Sequence, residues 1–272
     1  MEQNYKLGKL PAREDGIKFQ FASYFSKPDL PKPPDVFGVW QSFWNIHLFK
    51  NDKIGNCVMA GAANETASWY RDTGRWVEFT DETVIQEYTQ LSGYNPEKDY
   101  DPGLDMSRTA EYRRKTGIVD RYGRKHKVDA YVGLPKQDFD TLKIAMYLFG
   151  AVGVGFLMPD FAQGDFNKKI PWKPRDKSKI IGGHYVSGCG IDKDGDLIIM
   201  TWGKYHKVTR EFYEKYNDET CAYFSMERTI NNTSPEGFHS DKLLSDLRSL
   251  KGWRNYEGGY KDVFNWPVEE TA

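Results

Sequence analysis

The sequence predicts an α+β fold, with a helical lobe first and an antiparallel, strand-rich lobe after it. Up to residue 149 the chain is dominated by capping signals followed by helix-forming residues. From residue 152 onward the pattern changes to short apolar stretches separated by turn residues, which is typical of strands. Because helices and strands are segregated along the chain, the pattern favours an α+β domain over alternating βαβ units.

Four helices are predicted in the first half. Asn56 is a suitable N-cap residue, so the first helix begins at Cys57. Thr80 opens a capping sequence for the second helix, and Gly117 ends the third. The predicted helices cover residues 57–72, a stretch beginning after Thr80, 106–115 and 138–149.

The second half contains the predicted strands. Residues 152–158 are apolar and contain glycines, which lets neighbouring backbones approach closely. Residues 182–191 and 197–202 flank a turn at 192–196 and therefore predict a β-hairpin. Further strands are predicted at 128–132 and 222–226, with a short helical turn starting at Thr209 and a terminal helix at 240–250.

The predicted organisation is an irregular N-terminal arm at 1–40, a domain at 41–230 and a C-terminal loop and helix at 231–272. Prolines between residues 27 and 35 exclude a helix or a central strand there. Aromatic residues in the arm indicate that it packs against something: Phe19, Phe21, Tyr24 and Phe25.

Composition excludes several classes of function. The 272 residues include 38 basic and 39 acidic ones, so no basic field for nucleic acid or anionic lipid is expected. No apolar run is long enough to span a membrane, and the polar N-terminus lacks signal-peptide character, which predicts a cytoplasmic protein. The three cysteines and five histidines show no metal-ligand spacing, so we expect neither a metal nor another cofactor.

Cys57 is the candidate nucleophile. A cysteine at the start of a helix meets unpaired N–H groups and the positive end of the macrodipole, which favour its thiolate. The alternative is a small apolar residue at a helix start, and this stretch alone does not decide between the two. Small residues after it let other parts of the chain pack closely: Ala60, Gly61, Ala62 and Ala63.

His184 is the candidate partner of the thiol. It stands at the start of a glycine-rich strand, after two glycines that allow a substrate backbone or another strand to come close. The alternative is a core histidine satisfied by the backbone. His47, on an aromatic stretch, is its rival, whereas His126 lies in a charged run that predicts solvent exposure.

Five ordered motifs carry a family resemblance over roughly residues 40–228. They are Gly55-Asn56-Cys57 with Asn51 upstream, the loop at 101–103 followed by Gly117-Ile118, residues 149–155, the spacing from His184 to Gly190, and Met200-Thr201-Trp202-Gly203. In this order they resemble the papain-like cysteine peptidase superfamily, especially a divergent branch found in bacteria and their phages. The resemblance implies a papain-like fold.

The resemblance also implies roles for single residues. The Cys57 thiolate attacks a carbonyl, His184 pairs with it, Asn51 and the Cys57 N–H hold the oxyanion, and Trp202 shields the histidine. Asn51 is one methylene shorter than the family's Gln. Met200 replaces the Asn that orients the imidazole, so Thr201, a water or a backbone carbonyl must do so instead.

Two functions follow as hypotheses. The first is a cysteine hydrolase, a peptidase or amidase, that acts on a peptide or amide substrate. The second is a papain-fold protein with weak or no catalysis that serves as a structural or binding component, for example virion-associated in a phage particle. In that case the N-terminal arm would mediate protein assembly. An acyltransferase with the same Cys–His pair stays open as a third reading.

Overall fold

The fold is given by a computed structural model, which describes residues 4–13, 16, 17, 20, 21, 31–231 and 233–236. Residues 27–30 of the proline-rich stretch and the predicted terminal helix at 240–250 lie outside these residues, as do Phe19, Tyr24 and Phe25. Phe21 is described and is buried, as expected of an arm that packs against the domain.

The four helices predicted in the first half of the chain are present at the predicted places. They are α1 (Cys57–Asp72), α2 (Asp81–Ser92), α3 (Met106–Lys115) and α4 (Phe139–Phe149), followed by the shorter α5 (Ala162–Asn167) and α6 (Arg210–Tyr216). Thr80 and Thr83 form the expected capping box at α2. Asn56 occupies the N-cap position of α1, but its side chain makes no capping bond and donates instead to the Phe49 carbonyl.

The strands are β1 (Phe37–Gly38), β2 (Ile118–Val119), β3 (Lys125–His126), β4 (Ala130–Gly133), β5 (Val152–Pro159), β6 (Ile180–Ile191), β7 (Leu197–Thr201), β8 (Lys204–Val208) and β9 (Asn217–Phe224). Seven of them form one antiparallel sheet within the described residues, in the order β4-β9-β5-β6-β7-β8, with β1 on β6. The predicted hairpin of β6 and β7 is confirmed. Sequence patterns did not predict β1, β2, β3, β8 or α5, which are two to six residues long.

The sheet buries both of its faces. Successive residues of a strand point to opposite faces, and in β6 and β9 neighbouring residues enter two different apolar clusters. One cluster joins the sheet to α1, α2 and α3, and the other joins it to α4 and α6. The helical lobe therefore packs across one face of the sheet, and α1 lies against β6.

No helix among the described residues combines the length and apolar character that a bilayer crossing requires.

Candidate active site

The start of α1 and the middle of β6 bring Cys57 and His184 to the junction of the two lobes. Gly61 permits this packing, because a Cβ at that position would lie 2.3 Å from the ring of Tyr185, the residue after His184. The prediction that small residues let other parts of the chain approach α1 is confirmed, and the partner is an aromatic ring.

Cys57 is buried, with 2% of its surface exposed. The backbone N–H of Tyr185 donates to its sulfur at 3.5 Å, and the N–H of Gly8 also donates to it. Burial raises the pKa of the thiol to about 11, although both N–H groups act in the opposite direction. In this conformation the residue is a protonated thiol at neutral pH.

His184 is equally buried and is oriented by two neighbours. Its Nε2 lies 2.7 Å from the hydroxyl oxygen of Thr201. Trp202 stacks on the imidazole, with ring centroids 4.3 Å apart and planes inclined by 19°. The remaining nitrogen, Nδ1, is buried and has no hydrogen-bond partner among the described residues. Burial lowers the pKa of His184 to about 3, so the ring is neutral at pH 7.

Thr201, rather than Met200, contacts the histidine. Met200 precedes it on β7 and points into an apolar cluster with Val39 and Phe43. Since neighbouring strand residues face opposite sides, the next residue points toward His184. Of the groups that could orient the imidazole, the Thr201 hydroxyl is therefore the one that contacts it in this structure.

Asn51 is buried close to the turn that leads into α1. Its side-chain amide donates to the Ile54 carbonyl at 2.9 Å, and its backbone carbonyl accepts from the N–H of Lys6. An amide carries two hydrogens, so the bond to Ile54 leaves one for another acceptor. Its role as an oxyanion donor stays a prediction.

Residues 5–10 of the N-terminal arm cross the junction between the lobes. The N–H of Lys9 donates to the Gly183 carbonyl at 3.1 Å on one side. On the other side the Gly8 carbonyl accepts from the N–H of Leu104 at 2.7 Å. Tyr5 stacks on Trp202 with ring centroids 4.6 Å apart. This cleft segment (residues 5–10) contacts the Cys57 sulfur through Gly8 and the residue before His184 through Lys9.

Glycines make room for the cleft segment. A Cβ on Gly183 would lie 2.3 Å from the Lys9 carbonyl oxygen, and one on Gly103 would lie 2.3 Å from the Gly8 carbonyl oxygen. A Cβ on Gly8 itself would lie 1.7 Å from the carbonyl oxygen of Gly55. The prediction that glycine next to His184 admits another backbone is confirmed, and the backbone belongs to the same chain.

Two other histidines take no part in this junction. His47 is solvent-exposed, and its ring lies 5.3 Å from that of Phe49. The expectation that His126 is solvated is wrong, since it is 4% exposed and lies between Asp120 and Glu227. Burial alone would lower the pKa of His126, but these two carboxylates outweigh burial and raise it.

Two buried ion pairs near the site were not found by sequence patterns. Glu65 on α1 binds Arg113 on α3 at 2.6 Å and accepts from the hydroxyls of Tyr185 and Ser187. Lys9 binds an acidic pair on β9, Asp218 and Glu219. Each pair joins residues far apart in the chain, and no spacing rule connects them. Within the described residues, no group of three His, Cys, Asp or Glu side chains is arranged to hold a metal ion.

No protein-family model and no curated protein matches this sequence. Solved structures do match it. Xylellain, a cysteine protease from Xylella fastidiosa, is 16% identical and has a TM-score of 0.61, over 83% of this chain and 98% of that one. A cysteine protease from Carica candamarcensis is 13% identical, with a TM-score of 0.52 over 71% of this chain and 99% of that one. Procathepsin B from Trypanosoma congolense is 14% identical, with a TM-score of 0.52 over 80% and 86%. The chain therefore has the fold of the papain-like cysteine proteases.

Proposed function

We propose that the protein is a cysteine hydrolase that cleaves a peptide or amide bond through an acyl-enzyme on Cys57, with His184 as proton acceptor and donor. The observation that carries this proposal is the contact between His184 Nε2 and the Thr201 hydroxyl. It engages one ring nitrogen and leaves Nδ1, which is buried without a partner among the described residues, available to the thiol.

The proposed reaction has two stages. The Cys57 thiol gives its proton to His184 Nδ1 as the sulfur attacks the carbonyl carbon, and the imidazolium then protonates the leaving amine as the C–N bond breaks. Water next attacks the thioester, with the imidazole as base, which releases the acid and restores the thiol. The Cys57 N–H and the Asn51 amide are the proposed donors to the oxyanion.

In the described conformation the site is closed. The cleft segment presents the N–H of Gly8 to the sulfur, whereas a substrate must present a carbonyl carbon there. The segment is thus placed as a cover and not as a substrate, and it must leave before hydrolysis. Gly8→Ala is a suitable opening variant, because its Cβ collides with the backbone of Gly55 and not with a catalytic group.

The test measures hydrolysis of a library of internally quenched peptides by the full chain carrying Gly8→Ala. We expect turnover that falls to background when Cys57→Ala or His184→Ala is added. Adding Thr201→Val should lower kcat about 10- to 100-fold, because it removes a hydrogen bond to the imidazolium but keeps the side-chain shape. Gly164→Ala is the matched control, since a Cβ there meets nothing within 4 Å.

A papain-fold binding protein without catalysis is the second candidate. Two observations favour it. Cys57 and His184 are both buried and neutral, and no hydrogen bond joins their side chains in the described part of the chain. A Gly8→Ala protein whose thiol is readily alkylated, yet which hydrolyses no peptide, would support this candidate and contradict the hydrolase. Assembly through the N-terminal arm and a place in a phage particle stay predictions of the sequence.

A further inference from the structure

The cleft contains a buried pocket, which is occupied by the charged end of the Lys9 side chain. The Lys9 ammonium lies 2.7 Å from Asp218 Oδ2 and 2.9 Å from Glu219 Oε1, and it donates to the Leu10 carbonyl at 2.9 Å. The Lys9 side chain is completely buried, and the two carboxylate side chains are 10% and 12% exposed. These three contacts use all three ammonium hydrogens.

The pocket is shaped for a long side chain. Gly155 on β5 lies beside the aliphatic stem, because a Cβ at this position would be 2.1 Å from Lys9 Cε. Glycine therefore leaves the room that the stem occupies. The two carboxylates form the charged end of the pocket, and Gly155 leaves space for the aliphatic stem. A lysine or arginine side chain needs this arrangement.

The pocket lies next to the proposed reactive centre. Lys9 donates its backbone N–H to Gly183, the residue before His184. Gly8, the residue before Lys9, gives its N–H to the Cys57 sulfur. A side chain in the pocket is therefore one residue away from the chain position that faces the thiol.

The acidic pair has more acceptor capacity than Lys9 uses. Asp218 Oδ1 is buried and has no hydrogen-bond partner among the described residues. Burial, together with the charges of Asp218 and Asp105, raises the pKa of Glu219, and the Lys9 ammonium opposes this. When the cleft segment leaves, two neighbouring carboxylates lose their cation, and another basic side chain would restore the lost interaction.

We propose that Asp218, Glu219 and Gly155 form a subsite for a lysine or arginine side chain of a peptide substrate, with Lys9 as its internal occupant. This inference rests on the proposed function, because it assigns a substrate class to the same cleft. The unused Asp218 oxygen gives a guanidinium, with its five donors, an additional acceptor.

The test measures peptide binding, so that it does not depend on turnover. The full chain carrying Gly8→Ala and Cys57→Ala is titrated with a fluorescent peptide corresponding to residues 4–12, and binding is followed by anisotropy. A second peptide carries norleucine in place of Lys9, which keeps the length of the stem and removes the charge. We expect the lysine peptide to bind at least about tenfold more tightly.

Three protein variants test which residues cause the preference for lysine over norleucine. Adding Glu219→Gln or Asp218→Asn should reduce the preference for lysine over norleucine to less than about threefold. Gly155→Ala should weaken both peptides, because it narrows the pocket without altering its charge. The norleucine comparison is made on the unchanged pocket, so it remains decisive even if one of these variants does not fold.

Equal affinity for both peptides, or a lysine preference that survives Glu219→Gln and Asp218→Asn together, would overturn the subsite. The two proposals also fail separately. Basic-selective binding without peptide hydrolysis by the Gly8→Ala protein would support the subsite and refute the hydrolase. Hydrolysis with no preference for basic residues would do the reverse.

Discussion

At the scale of single residues, the reactivity of Cys57 depends on what covers it. A helix start favours the thiolate, yet burial raises the pKa of this thiol to about 11. Desolvation is the largest cause of that shift, and backbone N–H groups oppose it. Desolvation thus outweighs both the helix start and the N–H groups of Tyr185 and Gly8 at one sulfur atom.

Opening the cleft should therefore lower the thiol pKa. In the Gly8→Ala protein we expect the pKa of Cys57 to fall to 9 or below, which increases the thiolate fraction at pH 8 by roughly 100-fold. The pH dependence of iodoacetamide labelling measures this shift, with Gly164→Ala as the control. An unchanged labelling profile in the Gly8→Ala protein would show that the cleft segment does not control the thiol.

At the scale of secondary-structure elements, a buried charge network holds α1 against β6. Glu65 is completely buried, accepts from Tyr185 and Ser187 on β6, and pairs with Arg113 on α3. The Arg113 guanidinium also lies over the ring of Tyr223, 4.1 Å from its centroid. Because Tyr185 in turn donates its N–H to Cys57, this network positions the strand beside the thiol.

Removing one charge of this network should destabilise the protein more than removing both charges. Glu65→Ala leaves the Arg113 charge buried and unpaired, and we expect a loss of about 3–5 kcal/mol in the free energy of unfolding. Glu65→Ala combined with Arg113→Met removes both charges and should recover a large part of that loss. Urea unfolding measures both values. A double variant no more stable than Glu65→Ala would contradict the account of an unpaired buried charge.

At the scale of the whole molecule, the apolar clusters on the two faces of the sheet and the cleft segment between the lobes together form the buried interior. A charged side chain is unfavourable in such an interior, because it loses its hydration there. His206 on β8 is an example, since its ring packs against Trp172 and Phe166 at centroid distances of 4.8 and 5.2 Å. Burial lowers the pKa of His206 from 6.5 to about 4.

This burial predicts a loss of stability in acid. As the pH falls below 6.5, the unfolded chain binds a proton at His206 before the folded chain does, so stability falls until about pH 4. Between pH 7 and pH 5 the wild type should lose about 2 kcal/mol more than His206→Gln. Urea unfolding at the two pH values tests this, with the exposed His47→Gln as the control. Equal losses in wild type and His206→Gln would contradict it.

Local patterns in the sequence were sufficient for much of the fold. Capping residues predicted α2, the change from helical to strand patterns predicted the two lobes, and the turn at 192–196 predicted the β6–β7 hairpin. The order of Cys57 and His184 with their flanking glycines pointed to the papain-like fold. These features are readable because each depends on neighbouring residues, whose spacing fixes their local conformation.

Only the tertiary structure decided the state of the candidate site. It placed Thr201 on His184, buried both candidate side chains and laid the arm across the cleft, where Lys9 meets Asp218 from 209 residues away. A contact between such distant residues leaves no periodic trace in the chain. The sequence by itself determined the order of a candidate thiol and a candidate imidazole along the chain, whereas burial and long-range packing determined that both side chains are covered, because desolvation depends on the neighbours in space.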